Sequence, residues 1–142
     1  MDKLELFSVA WAEQAQIALN NSPAYQKAAA TWEGAMIFRL LADPNQAPAD
    51  PSQSVYFDLY HGQCQAARVA TATDIEAAAY IISADASTWQ QVLTGKLEPI
   101  AGLLRGKLKL SKGNLAVLVR YVAAAKELVN CAASLDTNFR HR

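Results

Sequence analysis

The residues able to do covalent chemistry are few and badly placed for it. His61 stands three positions before Cys64, the two types a thiol nucleophile needs, since an imidazole within hydrogen-bond reach takes the thiol proton. Between them lie Gly62 and Gln63, so the pair flanks a hairpin turn, and strand alternation sends the two side chains away from a shared pocket. Cys64 and Cys131 belong to no CxxC pair and read as buried thiols in preference to a disulfide or a metal site. Asp43, Asp50 and Asp58 supply oxygen donors without the spacing of a cation-binding loop. The expectation is no catalytic residue, no metal and no cofactor. The densest charge is Arg105, Lys107, Lys109 and Lys112. Two readings fit it: a solvated strand edge that discourages further pairing, or transient contact with an anionic membrane surface, where each nearby charge adds about 1 kcal/mol.

The totals describe one domain unusually rich in apolar groups. At 142 residues the chain has the length of one domain, enough to bury roughly two thirds of its unfolded surface. Hydrophobic residues make up 52% and charged residues 18%, against roughly 25% charged in an ordinary soluble domain. Thirteen basic and thirteen acidic side chains cancel, so no global field favours nucleic acid. Asp2, Glu5 and Glu13 fall where a secretory signal carries positive charge and an apolar core. A cytoplasmic location is expected.

Hydrophobic periodicity then places the elements. Leu4, Phe7, Trp11, Ala15 and Ala18 keep the three-four spacing of a helix face, which predicts a first helix from Lys3 to Asn20. Ser22 followed by Pro23 starts a second, short helix. After Gly34 the period changes to two, with Met36, Phe38 and Leu40 on one side of a strand. The three-proline stretch Asp43 to Gln53 is expected as an exposed loop. Val55, Phe57 and Leu59 alternate with Tyr56, Asp58 and Tyr60 up to the His61-Gly62-Gln63 turn, from which a third strand returns. Ile81 and Ile82 mark a fourth strand, with a helical start open for the alanines before it. Asp85, Ser87 or Thr88 caps a helix through Trp89 and Leu93 that Gly95 closes. Pro99 opens another helix that ends at Gly106, and the alternating Lys107 to Leu110 predicts a fifth, edge-like strand.

The last helix, expected from Asn114 to Leu135, is the most informative. At ~100° per residue its polar side chains Arg120, Lys126, Glu127, Asn130 and Ser134 fall within an arc of roughly 120°. One apolar stripe runs Val117, Tyr121, Ala124, Leu128, Cys131, Leu135, and a second runs Leu115, Leu118, Val122, Val129. Packing on one sheet uses a stripe only a little over ~100° wide. Other helices, a second subunit or an apolar ligand must cover the rest.

From Trp89 onward, the series Gly95-Lys96-Leu97-x-Pro99, Leu103-Leu104-x-Gly106-Lys107-Leu108-Lys109 and Gly113-Asn114 resembles the sterol carrier protein type two lipid-transfer family, in a bacterial-type stand-alone form. Upstream, "GAMIFRL", "VYFDLYHG" and "AAYIISA" are similar to that family's first, second and fourth strands, so the likeness spans residues 32 to 135, preceded by amino-terminal helices (1–31) and followed by a tail (136–142). The resemblance implies one α+β domain, a mixed five-stranded β-sheet covered by helices, holding a fatty acyl, phospholipid or sterol-like ligand in the apolar space between. It places Phe38, Leu40, Phe57, Leu59, Trp89, Leu93, Ile100, Leu103, Leu104, Leu118 and Val122 around the ligand. Any one of these is ordinary core, and only the set is an argument. The alternative is a structural module in which the apolar arc builds a homodimer and no cavity exists.

Overall fold

The computed structural model describes residues 3–41 and 54–139; the proline-rich loop lies outside the described residues. The chain opens with β1 (Leu4–Glu5), α1 (Val9–Asn20) and α2 (Pro23–Ala28), and continues through β2 (Glu33–Leu40), β3 (Ser54–Tyr60), β4 (Gln63–Val69), α3 (Ala72–Ala77), β5 (Tyr80–Ala84), α4 (Ala86–Leu93), α5 (Pro99–Leu104), β6 (Lys109–Lys112), α6 (Leu115–Arg120), α7 (Val122–Ala133) and β7 (Thr137–Asn138). Five strands form one mixed sheet in the order β4-β3-β2-β5-β6, in which only the β2–β5 pair is parallel.

The period of two sets the two faces. Met36, Phe38 and Leu40 share one face with Val55, Phe57, Leu59 and Ile82 and are buried beneath the helices. Ile37 and Ile81 point the other way and form a small second cluster with Ala70 and Ala78, against which Ile75 of α3 packs. The β4 edge carries an irregularity of register opposite Asp58 and Leu59. Its free backbone groups are taken up by two amides of α1: Asn20 Oδ1 accepts from Cys64 N–H at 2.8 Å, Asn20 Nδ2 donates to Cys64 O at 2.9 Å, and Gln16 Oε1 accepts from Ala67 N–H at 3.2 Å. An edge that would otherwise invite another strand is thereby covered.

At the β3–β4 turn His61 has φ 48° and Gly62 φ 80°, the left-handed pair of a tight hairpin. Gly62 also sits against α2, where an added Cβ would come within 2.6 Å of Gln26 O. Gly62→Ala should therefore cost at least about 2 kcal/mol, the left-handed strain of a β-carbon plus displacement of α2, measurable as a lower urea midpoint.

Polar chemistry fixes α3. Thr71 and Asp74 make a reciprocal capping box, and Arg68 grips the Asp74 carboxylate through two bonds of 2.7 and 3.2 Å while lying over the Tyr56 ring. The Arg68 hydrogen bonds, aided by Thr71, hold the Asp74 carboxyl down to about 2 from its ordinary 3.8. A carboxyl whose folded value lies below its unfolded one stabilises above the unfolded value and loses that contribution as pH falls through the folded one. Between about pH 4 and pH 2 wild-type stability should decline through this group, while Asp74→Asn, weaker by about 1 kcal/mol at neutral pH, should lack that component of the decline. Chemical denaturation across that window checks it.

Three expectations need correction. The first helix starts at Val9, not Lys3: Ser8 caps it by accepting from Trp11 N–H at 3.2 Å, and Leu4–Glu5 pair in parallel with Thr137–Asn138, so part of the expected tail is also ordered into a strand. The edge strand is Lys109–Lys112, shifted by two from the KLKL alternation. The N–H groups of Lys107 and Leu108 both bond Gly102 O, finishing the turn after α5, and Leu108 is buried. The long last helix is two. Tyr121, at φ −107° and ψ 32°, separates α6 from α7.

Candidate functional site

The apolar space between sheet and helices divides into two neighbouring regions. The first is filled. Phe7, from the turn before α1, and Trp11, from its first turn, pack with Phe38, Phe57 and Trp89: Phe7 lies edge-on to Trp11 (5.2 Å between ring centres) and to Trp89 (5.4 Å), Phe38 is 4.8 Å from Trp89, and Trp11 is 6.3 Å from Phe57. These offset and edge contacts are the arrangements that aromatic quadrupoles favour. The two indoles are anchored through their N–H groups, Trp89 to Arg39 O at 3.0 Å and Trp11 to Thr137 Oγ1 at 2.9 Å.

The second region is a hollow with a free volume of about 40 Å³, well below the ~300–1,000 Å³ of typical ligand sites. Met36 and Phe38 of β2, Leu59 of β3 and Ile82 of β5 form its floor. Its walls are Tyr25 of α2, Trp32, Ile100 of α5, Leu118 of α6, and Ala124, Ala125 and Leu128 of α7. Tyr121 completes it at the α6–α7 break, where its ring stands edge-on to Trp32 at 4.9 Å. The Tyr121 hydroxyl donates to Thr31 O at 3.2 Å and lies 3.1 Å from Thr31 Oγ1, from which it accepts. This polar pair stands at the rim, beside the half-buried Ala125. Burial pushes the Tyr25 phenol well above its usual range, so that ring is neutral and compatible with an apolar wall.

Of the sequence-derived site residues, Phe38, Leu59, Ile100 and Leu118 meet at the hollow. Leu40, Phe57, Trp89, Leu93 and Leu103 are buried in the adjoining core. Leu104 and Val122 are at the surface, 65% and 43% exposed, and are not among the lining residues. Leu104 closes a short helix whose buried side is carried by Ile100 and Leu103, and the break at Tyr121 takes Val122 out of the stripe a continuous helix would give it. Tyr25, Trp32, Met36, Ile82, Tyr121, Ala124, Ala125 and Leu128 line the hollow without having been singled out as ligand contacts. Tyr121, Ala124 and Leu128 share one apolar stripe and Met36 shares the Phe38 face, which were usable signals; nothing in the sequence marks Trp32.

His61 and Cys64 have separate surroundings. The imidazole Nε2 lies 2.9 Å from Glu33 Oε2 on the exposed surface, with its ring stacked on Tyr60. The Cys64 thiol is buried, raised to about 12 by desolvation, and lies 3.4 Å from Ala66 O. A thiol at that value is protonated and a poor nucleophile. Both cysteines are free, and among the described residues no group of His, Cys, Asp or Glu could hold a metal ion. Arg105, Lys107, Lys109 and Lys112 are exposed, and Lys112 Nζ donates to Glu76 O, tying β6 to the end of α3. No described helix is long and apolar enough to cross a membrane.

The SCP-2 sterol transfer family matches residues 14–126. A crystal structure of sterol carrier protein 2 shares 41% identity over 92% of this chain and 98% of its own, with a TM-score of 0.77. A conserved hypothetical protein from Thermus thermophilus, a suggested sterol carrier protein solved in solution, shares 40% over 97% of this chain and 94% of its own, with a TM-score of 0.80. Sterol carrier protein 2 from Yarrowia lipolytica, at 22% identity over 86% of this chain and 88% of its own and a TM-score of 0.54, shares the fold. No curated protein sequence matches significantly. With the family match spanning most of the chain and two solved structures at about 40% identity along nearly its whole length, this chain belongs to the SCP-2 sterol transfer family.

Proposed function

We propose that the protein is a non-enzymatic lipid carrier that encloses one fatty acyl, phospholipid or sterol-like ligand between its sheet and helices. The observation that carries this is the lining of the hollow, aliphatic or aromatic throughout, with the Thr31–Tyr121 hydroxyl pair at the rim. Family membership supports the same class of role, lipid binding or transfer. Moving an acyl chain out of water releases about 0.8 kcal/mol per methylene, so a dry concave surface suffices and no reactive group is required. On this reading Phe38, Leu59, Ile100 and Leu118, which line the hollow, touch the ligand. Leu40, Phe57, Trp89, Leu93 and Leu103 back them, and Tyr121, Ala124 and Ala125 join them.

At about 40 Å³ the hollow must widen to take such a ligand. The α6–α7 break supplies the movable wall, because Tyr121 has no cap from a side chain there and is held to Thr31 by two hydroxyl contacts. The test is organic extraction of the purified protein followed by mass spectrometry, with titration of a fluorescent fatty acid in parallel. A co-purified lipid, or saturable uptake that unlabelled fatty acid displaces, is expected. Absence of both would sink the reading.

A further inference from the structure

We propose that Phe7 is a built-in occupant of the inner end of the lipid site, and that its displacement lets the site accept longer acyl chains. This rests on the carrier reading above. Phe38 lines the hollow and also meets Phe7 at 6.2 Å and Trp89 at 4.8 Å. Phe38 therefore borders both the hollow and the space that Phe7 fills.

The segment carrying Phe7 is built lightly for so buried a residue. Phe7 is 1% exposed yet has φ 61°, a left-handed conformation that costs any residue with a β-carbon and is relieved if the segment lets go. Its amino-terminal side is held by a strand of two residues, through Leu4 N–H to Asp136 O at 2.8 Å and Leu6 N–H to Asn138 O at 3.3 Å, with Asn138 Nδ2 donating to Glu5 Oε1 at 3.1 Å. Its carboxyl-terminal side ends at Ser8, whose N–H donates to Glu5 O at 3.1 Å; release of Leu4–Phe7 breaks that bond but leaves the Ser8 side chain capping α1 through Trp11 N–H. The ring would leave behind a space flanked by Phe38, Trp89 and Trp11. Release exposes Phe7 and Leu6, and the entering methylenes cover the apolar walls Phe7 had covered, so burial of the ligand offsets that exposure in proportion to the length of chain that enters.

The test uses octanoate, laurate and stearate on the full chain. In wild type, stearate should speed hydrogen exchange at the Leu4 and Leu6 amides at least tenfold while octanoate leaves them unchanged. By calorimetry, Phe7→Ala should bind stearate at least about tenfold more tightly than wild type, with octanoate affinity little altered. Stearate binding with Leu4 and Leu6 protection intact, or a Phe7→Ala gain equal at every length, would overturn the plug alone. No uptake of any chain by either protein would overturn the carrier reading and the plug with it. The exchange measurement needs no variant, so it decides the matter even if Phe7→Ala fails to fold.

Discussion

Trp89→Ala is expected to destabilise the fold by about 3–5 kcal/mol, the range for truncating a large buried aromatic. Trp89 is 1% exposed and lies against both Phe7 and Phe38, so its loss leaves a void in the aromatic region and not at an edge. The substitution also removes the indole donor from Arg39 O, adding the cost of one part-buried hydrogen bond. Since a domain's total stability is about 5–15 kcal/mol, the melting temperature should fall by about 10 °C or more. Trp89→Phe keeps a ring and loses the N–H, and should cost only about 1–2 kcal/mol. Urea denaturation followed by circular dichroism separates the two variants. Equal midpoints for wild type and Trp89→Ala would mean that this region is not part of the packed core.

Ala125→Trp should abolish most lipid uptake, with affinity reduced at least tenfold, about 1.4 kcal/mol, while unfolding shifts little. Ala125 lies on α7 at the wall of the hollow and is only half-buried, so a bulky ring can grow from the rim into the free space without entering the closed core. Leu104→Glu is the matched control. Its side chain is 65% exposed and outside the lining, so uptake should be unchanged. A fluorescent fatty acid titrated against both variants gives the comparison, and loss of uptake in Leu104→Glu with retention in Ala125→Trp would relocate the site to the outer face of α5.

The strands and most helices were legible because their patterns are local. Val55, Phe57 and Leu59 alternate with polar neighbours, His61-Gly62 is turn chemistry, and Ser22-Pro23, Asp85 and Pro99 are start signals that the structure uses as expected. The elements that escaped detection are those decided by distant partners. Leu4, Phe7 and Trp11 satisfy helical spacing, yet Leu4 is drawn into a strand by Thr137, and Phe7 reverses direction to reach Phe38. Neither event leaves a periodic trace. The break at Tyr121 has no proline or glycine to announce it; the residue is held by Trp32 and by Thr31, the latter 90 positions away. The site was legible to the same degree. Sheet-face residues such as Phe38 and Leu59 follow from alternation, whereas the division of the apolar space into a filled and an open part depends on Phe7, whose role no spacing argument reveals.

The two-residue pairing of β1 with β7 bears on the lifetime of the native state. It joins positions 133 apart along the chain. Ring closure over such a span grows only logarithmically more costly in entropy, so the stitch is thermodynamically inexpensive. Loop-closure entropy must be met before so distant a contact rewards it, so this pairing is expected to form late in folding. Interactions absent from the rate-limiting barrier act on the escape rate and leave the arrival rate alone. This short stitch, together with the packing of Phe7, is therefore expected to act on how long the amino-terminal segment stays docked and not on how fast the sheet assembles.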